Sequence, residues 1–222
     1  MPYQFEDLKK SCQNEWQAYI EHGFGQQLGN ATLAPEAFQH YLKQDYLFLI
    51  QFARAFALAA YKSPTLSDLR QAKEGLQAIV DVELDLHVSY CKEWGISEQE
   101  LADLPEARAT LAYTRYVLDT GNRGDLLDLH VALSPCMVGY GEIANWLNSR
   151  AETIRGENNP YDAWIAMYES DEFQEAMRAE ISWLNERLAD VSPARFKELT
   201  RIFSDATRLA IDFWEMGLKQ SD

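Results

Sequence analysis

Apolar residues recur every three or four positions along most of this chain, and no run sustains the alternation of a strand. That period lays a single apolar stripe along a helix, which confines the chain to an all-α architecture of packed helices. Phe5, Leu8, Cys12, Trp16 and Tyr19 form the first stripe, on a helix predicted over Tyr3 to Glu21. A loop carrying Gly23, Gly25 and Gly29 is expected next, and Pro35 suits the first position of a second helix reaching about Tyr61. A third helix begins near Ser67 or Asp68 and ends at Trp94, with Gly95 as its stop. Ser97-Glu98-Gln99-Glu100 has the form of a capping box for a short fourth helix. A fifth helix follows Pro105 and ends near Gly121, and a sixth starts near Asp125 with Pro135 in its middle. Asn159-Pro160 caps a short helix, Ser170 the next, and Ser192-Pro193 opens a last one reaching almost to the C-terminus. Long helices joined by short polar loops form a bundle. With no internal repeat, low-complexity segment or linker, residues 1–222 are expected to make one domain.

Composition narrows the functional classes. A 47% hydrophobic fraction, with 12% aromatics, supplies a real core, which argues against disorder. The net charge of −15 lacks the basic footprint that phosphate backbones need, which argues against nucleic-acid partners and anionic membrane surfaces. No apolar run approaches the roughly 20 residues that span a bilayer. The opening MPYQFEDLKK is polar, so no signal peptide is expected. Cys12, Cys91 and Cys136 are scattered and odd in number, which suits a reducing, cytoplasmic setting better than a disulfide framework.

The informative positions are polar groups where the helical stripe calls for apolar ones. Asp45 lies among Phe38, Tyr41, Leu42, Phe48, Leu49, Phe52 and Phe56, while Lys43, Gln44, Gln51 and Arg54 mark the face expected to be exposed. It is either a carboxylate paired with a buried Tyr or His, or one that grips a cationic or amidine-like ligand. Glu83 shares a stripe with Leu76, Ile79, Leu86, His87 and Tyr90, and it lies four positions before His87. Those two form either a buried structural pair or part of a site. Cys136 follows Pro135 and precedes Gly139, Tyr140 and Gly141. If a helical segment restarts at Pro135, the thiol sits in a first turn, where the helix dipole favours the nucleophilic thiolate; otherwise it is an ordinary buried cysteine. Cys12 and Cys91 fit regular stripes and read as core. His22, His40, His87 and His130 form no Glu-x-x-His pair of the di-iron kind, so no metal is expected.

Four stretches in order resemble the TenA/thiaminase II family: Gln44-Asp45-Tyr46-Leu47-Phe48-Leu49, Glu83-Leu84-Asp85-Leu86-His87, Pro135-Cys136-Met137-Val138-Gly139-Tyr140 and Phe213-Trp214-Glu215-Met216. The third marks the cysteine-bearing branch. The resemblance implies a haem-oxygenase-like helical bundle, a homotetramer, and neither metal nor organic cofactor. It implies hydrolysis of 4-amino-5-aminomethyl-2-methylpyrimidine to the 5-hydroxymethyl pyrimidine for thiamin salvage, with thiamin itself a further substrate. By the same resemblance Asp45 binds the pyrimidine, Cys136 is the nucleophile, and Phe48, Tyr113, Tyr140, Tyr168 and Glu83 line the substrate site. Two positions depart from the pattern. Phe48 stands where many members carry Tyr. Ala210 stands where a Glu usually serves as proton donor, three residues before the Phe-Trp pair. Another acid such as Glu83, or a water, then substitutes, or the chain is a pyrimidine-binding protein with lost or weakened hydrolysis.

Overall fold

The computed structural model describes residues 2–222, and every regular element among them is helical. Their packing divides the chain into two compact units, one of Pro35–His130 with Glu215–Asp222, the other of residues 2–34 with Val131–Trp214. No helix is long and apolar enough to cross a membrane among the described residues.

The first unit is built on α4 (Pro35–Lys62), whose proline occupies the helix start. Against it pack α5 (Leu66–Ala78), a π-helical turn (Ile79–Glu83), α6 (Leu84–Glu93), α7 (Glu98–Ala102) and α8 (Arg108–Arg123). Thr65 caps α5 by accepting from Asp68 N–H, and α7 carries the reciprocal Ser97–Glu100 box. The expected third helix is therefore real but interrupted. Leu84 N–H bonds back to the Ile79 carbonyl, five residues earlier, which is the bond pattern of a π turn. Gly75 lets α5 approach α4, because a β-carbon there would fall 2.3 Å from Phe56 Cε1.

Gln44 corrects the expected pattern of exposure. It is buried, and its amide ties α4 to the entry of α8. Nε2 donates to the Pro105 carbonyl at 3.0 Å, while Oε1 accepts from Ala107 N–H and the Thr110 hydroxyl, each at 2.8 Å. Ala107 is the N-cap of α8 and has no side-chain acceptor of its own, so Gln44 supplies one from another helix.

The second unit contains α1 (Phe5–Ser11), α2 (Gln13–Ile20), α3 (Gly23–Gly29), most of α9 (Leu126–Asn148), α10 (Asp162–Glu169), α11 (Asp171–Leu188) and most of α12 (Pro193–Lys219). The first stripe does not make one helix: the backbone breaks at Cys12, at φ −136°. The glycine-bearing stretch expected as a loop is α3. Tertiary packing overrides propensity there, since a β-carbon at Gly29 would lie 2.6 Å from Leu147 Cδ2. Asn159 braces the end of α3, its Nδ2 donating to the carbonyls of Leu28 (3.1 Å) and Ile154 (2.9 Å). Ser170 caps α11 as expected. Phe5, Trp16 and Phe203 interlock as the aromatic centre of one end, with Phe5 and Phe203 edge to face.

Candidate functional site

In the α4 unit, the helical spacing of Tyr41, Asp45 and Phe48 puts all three on the buried face. Asp45 is almost fully enclosed, at 2% exposure, so its charge requires partners. Two converge on a single oxygen. The Tyr41 hydroxyl donates to Oδ2 at 2.8 Å, and His87 Nε2 lies 2.7 Å from the same atom. Oδ1 receives no hydrogen bond among the described residues. Both readings of Asp45 from its position thus survive: it has its Tyr and His partners, and it keeps an unused oxygen.

The π turn ends at Glu83, and such turns concentrate at functional sites. The Glu83–His87 contact runs through the main chain rather than the carboxylate: His87 Nδ1 lies 2.7 Å from the Glu83 carbonyl oxygen. Glu83 as a residue is half-buried, while protein crowds its carboxyl on every side. Burial, and then the negative Asp45 nearby, push its pKa up to about 7, against a smaller pull from His87. It makes no side-chain hydrogen bond among the described residues. His87 is fully buried. Desolvation opposes its charge, but the Asp45 carboxylate and the Glu83 carbonyl outweigh it and raise its basicity. Phe48 and Tyr113 complete this group, ring centroids 5.1 Å apart.

In the other unit, α9 carries Cys136 one turn before Tyr140. The helix continues through Pro135 without restarting, so Cys136 is not at a helix N-terminus and the dipole argument for its thiolate does not apply. Cys136 is half-buried, whereas Cys12 and Cys91 are buried, with thiols pushed up to about 11 by desolvation. Tyr140 is held by Trp214 on one side (5.3 Å, stacked) and Tyr168 on another (4.8 Å, edge to face), with Trp164 4.6 Å from Tyr168. Gly139 makes room for Tyr19: a β-carbon would come 2.3 Å from its ring. Ala210 is buried on α12, one turn before Trp214.

The structure therefore groups Asp45, Glu83, Phe48 and Tyr113 in one unit, and Cys136, Tyr140, Tyr168 and Ala210 in the other. Tyr41, four residues before Asp45 on its stripe, was legible as a helical neighbour; that His87 is its buried partner was not, because the two lie 42 residues apart on different helices. The π turn was not: a run of Ile79, Val80 and Val82 lowers α propensity but names no bond pattern. Among the described residues, no cluster of three His, Cys, Asp or Glu side chains is placed to hold a metal.

A model of the TENA/THI-4/PQQC family matches residues 9–220. The aminopyrimidine aminohydrolase of Halalkalibacterium halodurans is 39% identical over 96% of this chain and 94% of its own. The crystal structure of a TenA family transcription regulator from Silicibacter sp. TM1040 is 42% identical, covers 98% of both chains and superimposes with a TM-score of 0.89. A domain of unknown function with a heme oxygenase-like fold from Shewanella denitrificans, at 12% identity and 93% of its own chain covered, reaches 0.73 over 98% of this one, a likeness of fold alone.

Proposed function

Because the chain belongs to the TENA/THI-4/PQQC family, we propose that it is an aminopyrimidine hydrolase, acting on 4-amino-5-aminomethyl-2-methylpyrimidine. The observation that carries this reading is the acid pair of the α4 unit: Asp45 clamped through one oxygen with the other unused, beside a Glu83 whose pKa burial and the nearby Asp45 push up to about 7. Asp45 Oδ1 accepts from the amino edge of the ring, and Glu83, part protonated at neutral pH, shares a proton with a ring nitrogen. That makes the ring electrophilic. The Cys136 thiolate adds to a ring carbon, forming C–S, and the exocyclic C–N bond breaks. Water then adds to the methylene carbon as the C–S bond breaks, restoring the aromatic ring. Ring and water become the hydroxymethyl pyrimidine, and the amine departs as ammonia.

The missing acid at Ala210 bears on this sequence less than its buried position suggests. An alkylamine carries its own proton near neutral pH, so it leaves as ammonia without a separate donor. Tyr113, Phe48, Tyr140 and Tyr168 supply flat faces for the ring. Thiamin itself is a further substrate on the same chemistry, and the working form is a cytoplasmic homotetramer, which light scattering tests.

The experiment is ammonia release from the aminomethyl pyrimidine by the wild type, Cys136→Ser and Asp45→Asn. Turnover by the wild type, lost ~10²- to 10⁴-fold in each variant, is expected. Equal rates in the wild type and Cys136→Ser would remove the nucleophile. Ala210 favours a second reading, pyrimidine binding with little turnover. Ala210→Glu separates the two: a large gain in turnover means a catalytic scaffold that lacks only a proton donor, and no gain with ligand binding intact supports the second.

A further inference from the structure

The proton count around His87 has one solution once its partners are named. Nδ1 faces a backbone carbonyl, which can only accept, so Nδ1 carries hydrogen. Nε2 faces Asp45 Oδ2, which already accepts from the Tyr41 hydroxyl. One proton therefore lies on the 2.7 Å line from Nε2 to Oδ2. On Nε2 it makes an imidazolium against a carboxylate; on Oδ2 it makes a neutral ring against a carboxylic acid.

We infer that His87 is a positioning residue of this acid cluster: a fully buried imidazolium that pins Asp45 by Oδ2 and ties it to the backbone of the π turn. The first form is favoured because a second acceptor, the Glu83 carbonyl, solvates the ring cation from its other nitrogen, and the Tyr41 hydroxyl solvates the carboxylate. The charged groups that act on His87 are Asp45 on α4 and Glu83 on the π turn. The pair is net neutral, so an uncharged ring can bind without meeting an uncompensated charge. Oδ1 alone remains to accept, which selects a ligand edge that donates. The bond to the Glu83 carbonyl also fixes the turn presenting that residue's carboxyl. His87 itself touches no ligand in this scheme. Its consequence for turnover rests on the hydrolase reading; its protonation state does not.

Two measurements test it. The first is nitrogen-15 NMR of histidine-labelled intact protein between pH 6 and 9, with the His87 ring assigned through its coupling to a buried neighbour. Both ring nitrogens should show imidazolium shifts at pH 7, above the ordinary histidine range. A neutral-ring pattern at pH 7 overturns the proposal, whatever the enzyme does. The second compares His87→Gln and His87→Leu for folding by circular dichroism, then for kcat, KM and the pH–rate profile. Gln keeps one donor to Asp45 and should retain more kcat than Leu, whose loss should reach a hundredfold or more. In Leu the profile should also change, because Asp45 loses the partner that pins Oδ2. Folded variants with the wild-type profile overturn the proposal. If neither variant folds, the spectrum decides alone. A wild type inactive on the pyrimidine, with the imidazolium shifts present, sinks the hydrolase reading and leaves the charge state of His87 standing.

Discussion

Asp45 shows how one side chain can satisfy both a structural and a chemical demand, because its two oxygens are used differently. Asparagine at this position keeps the shape and loses the charge. It leaves a buried His87 without its counter-ion, so Asp45→Asn should cost about 3–5 kcal/mol of stability in urea unfolding, besides its loss of activity. Glu83 yields a prediction with a definite sign. Its folded pKa, about 7, lies above its ordinary 4.5. The unfolded chain therefore loses this proton first as pH rises, and stability from this group falls between pH 4.5 and 7 and then levels off. Glu83→Gln removes that slope, and should be the more stable protein at pH 8 by on the order of 2–3 kcal/mol, read from denaturation midpoints at pH 5 and pH 8. Thiol labelling under native conditions should mark Cys136 and spare Cys12 and Cys91, which are buried and hard to ionise. The chain order alone exposed Asp45 and Glu83, since a charge in an apolar stripe is visible by its spacing. Which oxygen takes which donor depends on α6 meeting α4, and no local pattern records that.

Among the elements, those with start signals were the most legible. Pro35, Ser97, Ser170 and Pro193 each mark a helix the structure contains, because caps and first-turn prolines act within a few residues. The break at Cys12, the helical α3 and the π turn depend on distant partners and left no comparable trace. Gln44 belongs with them. On a helical wheel it looks like surface, yet it caps a helix more than sixty residues away. Gln44→Leu would strand the Ala107 N–H and the Thr110 hydroxyl in the interior. A loss of about 1–3 kcal/mol for each unsatisfied group is expected, with fluorescence or activity reporting displacement of Tyr113 on α8. A tenth of that loss would mean that water or a neighbouring group takes over as acceptor. Gly139 makes the matching case on α9. Gly139→Ala drives a methyl into the Tyr19 ring, which is 1% exposed and has little room to yield. Thermal unfolding should register about 1–3 kcal/mol, with disturbance of the turn that carries Cys136 and Tyr140.

At the scale of the whole molecule, the fold class was open to inspection because a helical bundle is specified by short-range periodicity, and the scarcity of glycine and proline (11 and seven) left that period little interrupted. The same scale decides a question that family membership leaves open. A solved relative is described as a transcription regulator, while another relative is described as a hydrolase. Charge separates those roles for this chain. It carries 35 acidic against 20 basic residues, so a duplex approaching it meets net repulsion. Binding to DNA gains most of its non-specific strength from cations displaced by Lys and Arg, and such binding weakens steeply with salt. A regulator acting directly on DNA would have to concentrate its few basic side chains on one face. Several of them instead sit in ion pairs: Lys9 with Glu142, Arg115 with Glu106, Arg155 with Asp162 and Glu169. The expected result is no retention of duplex DNA by the purified chain at 150 mM salt, and no appearance of binding as salt is lowered to 50 mM. Retardation at micromolar protein that fades with the logarithm of salt would reveal a phosphate-contacting surface. It would also reopen the regulatory role that the acidic balance argues against.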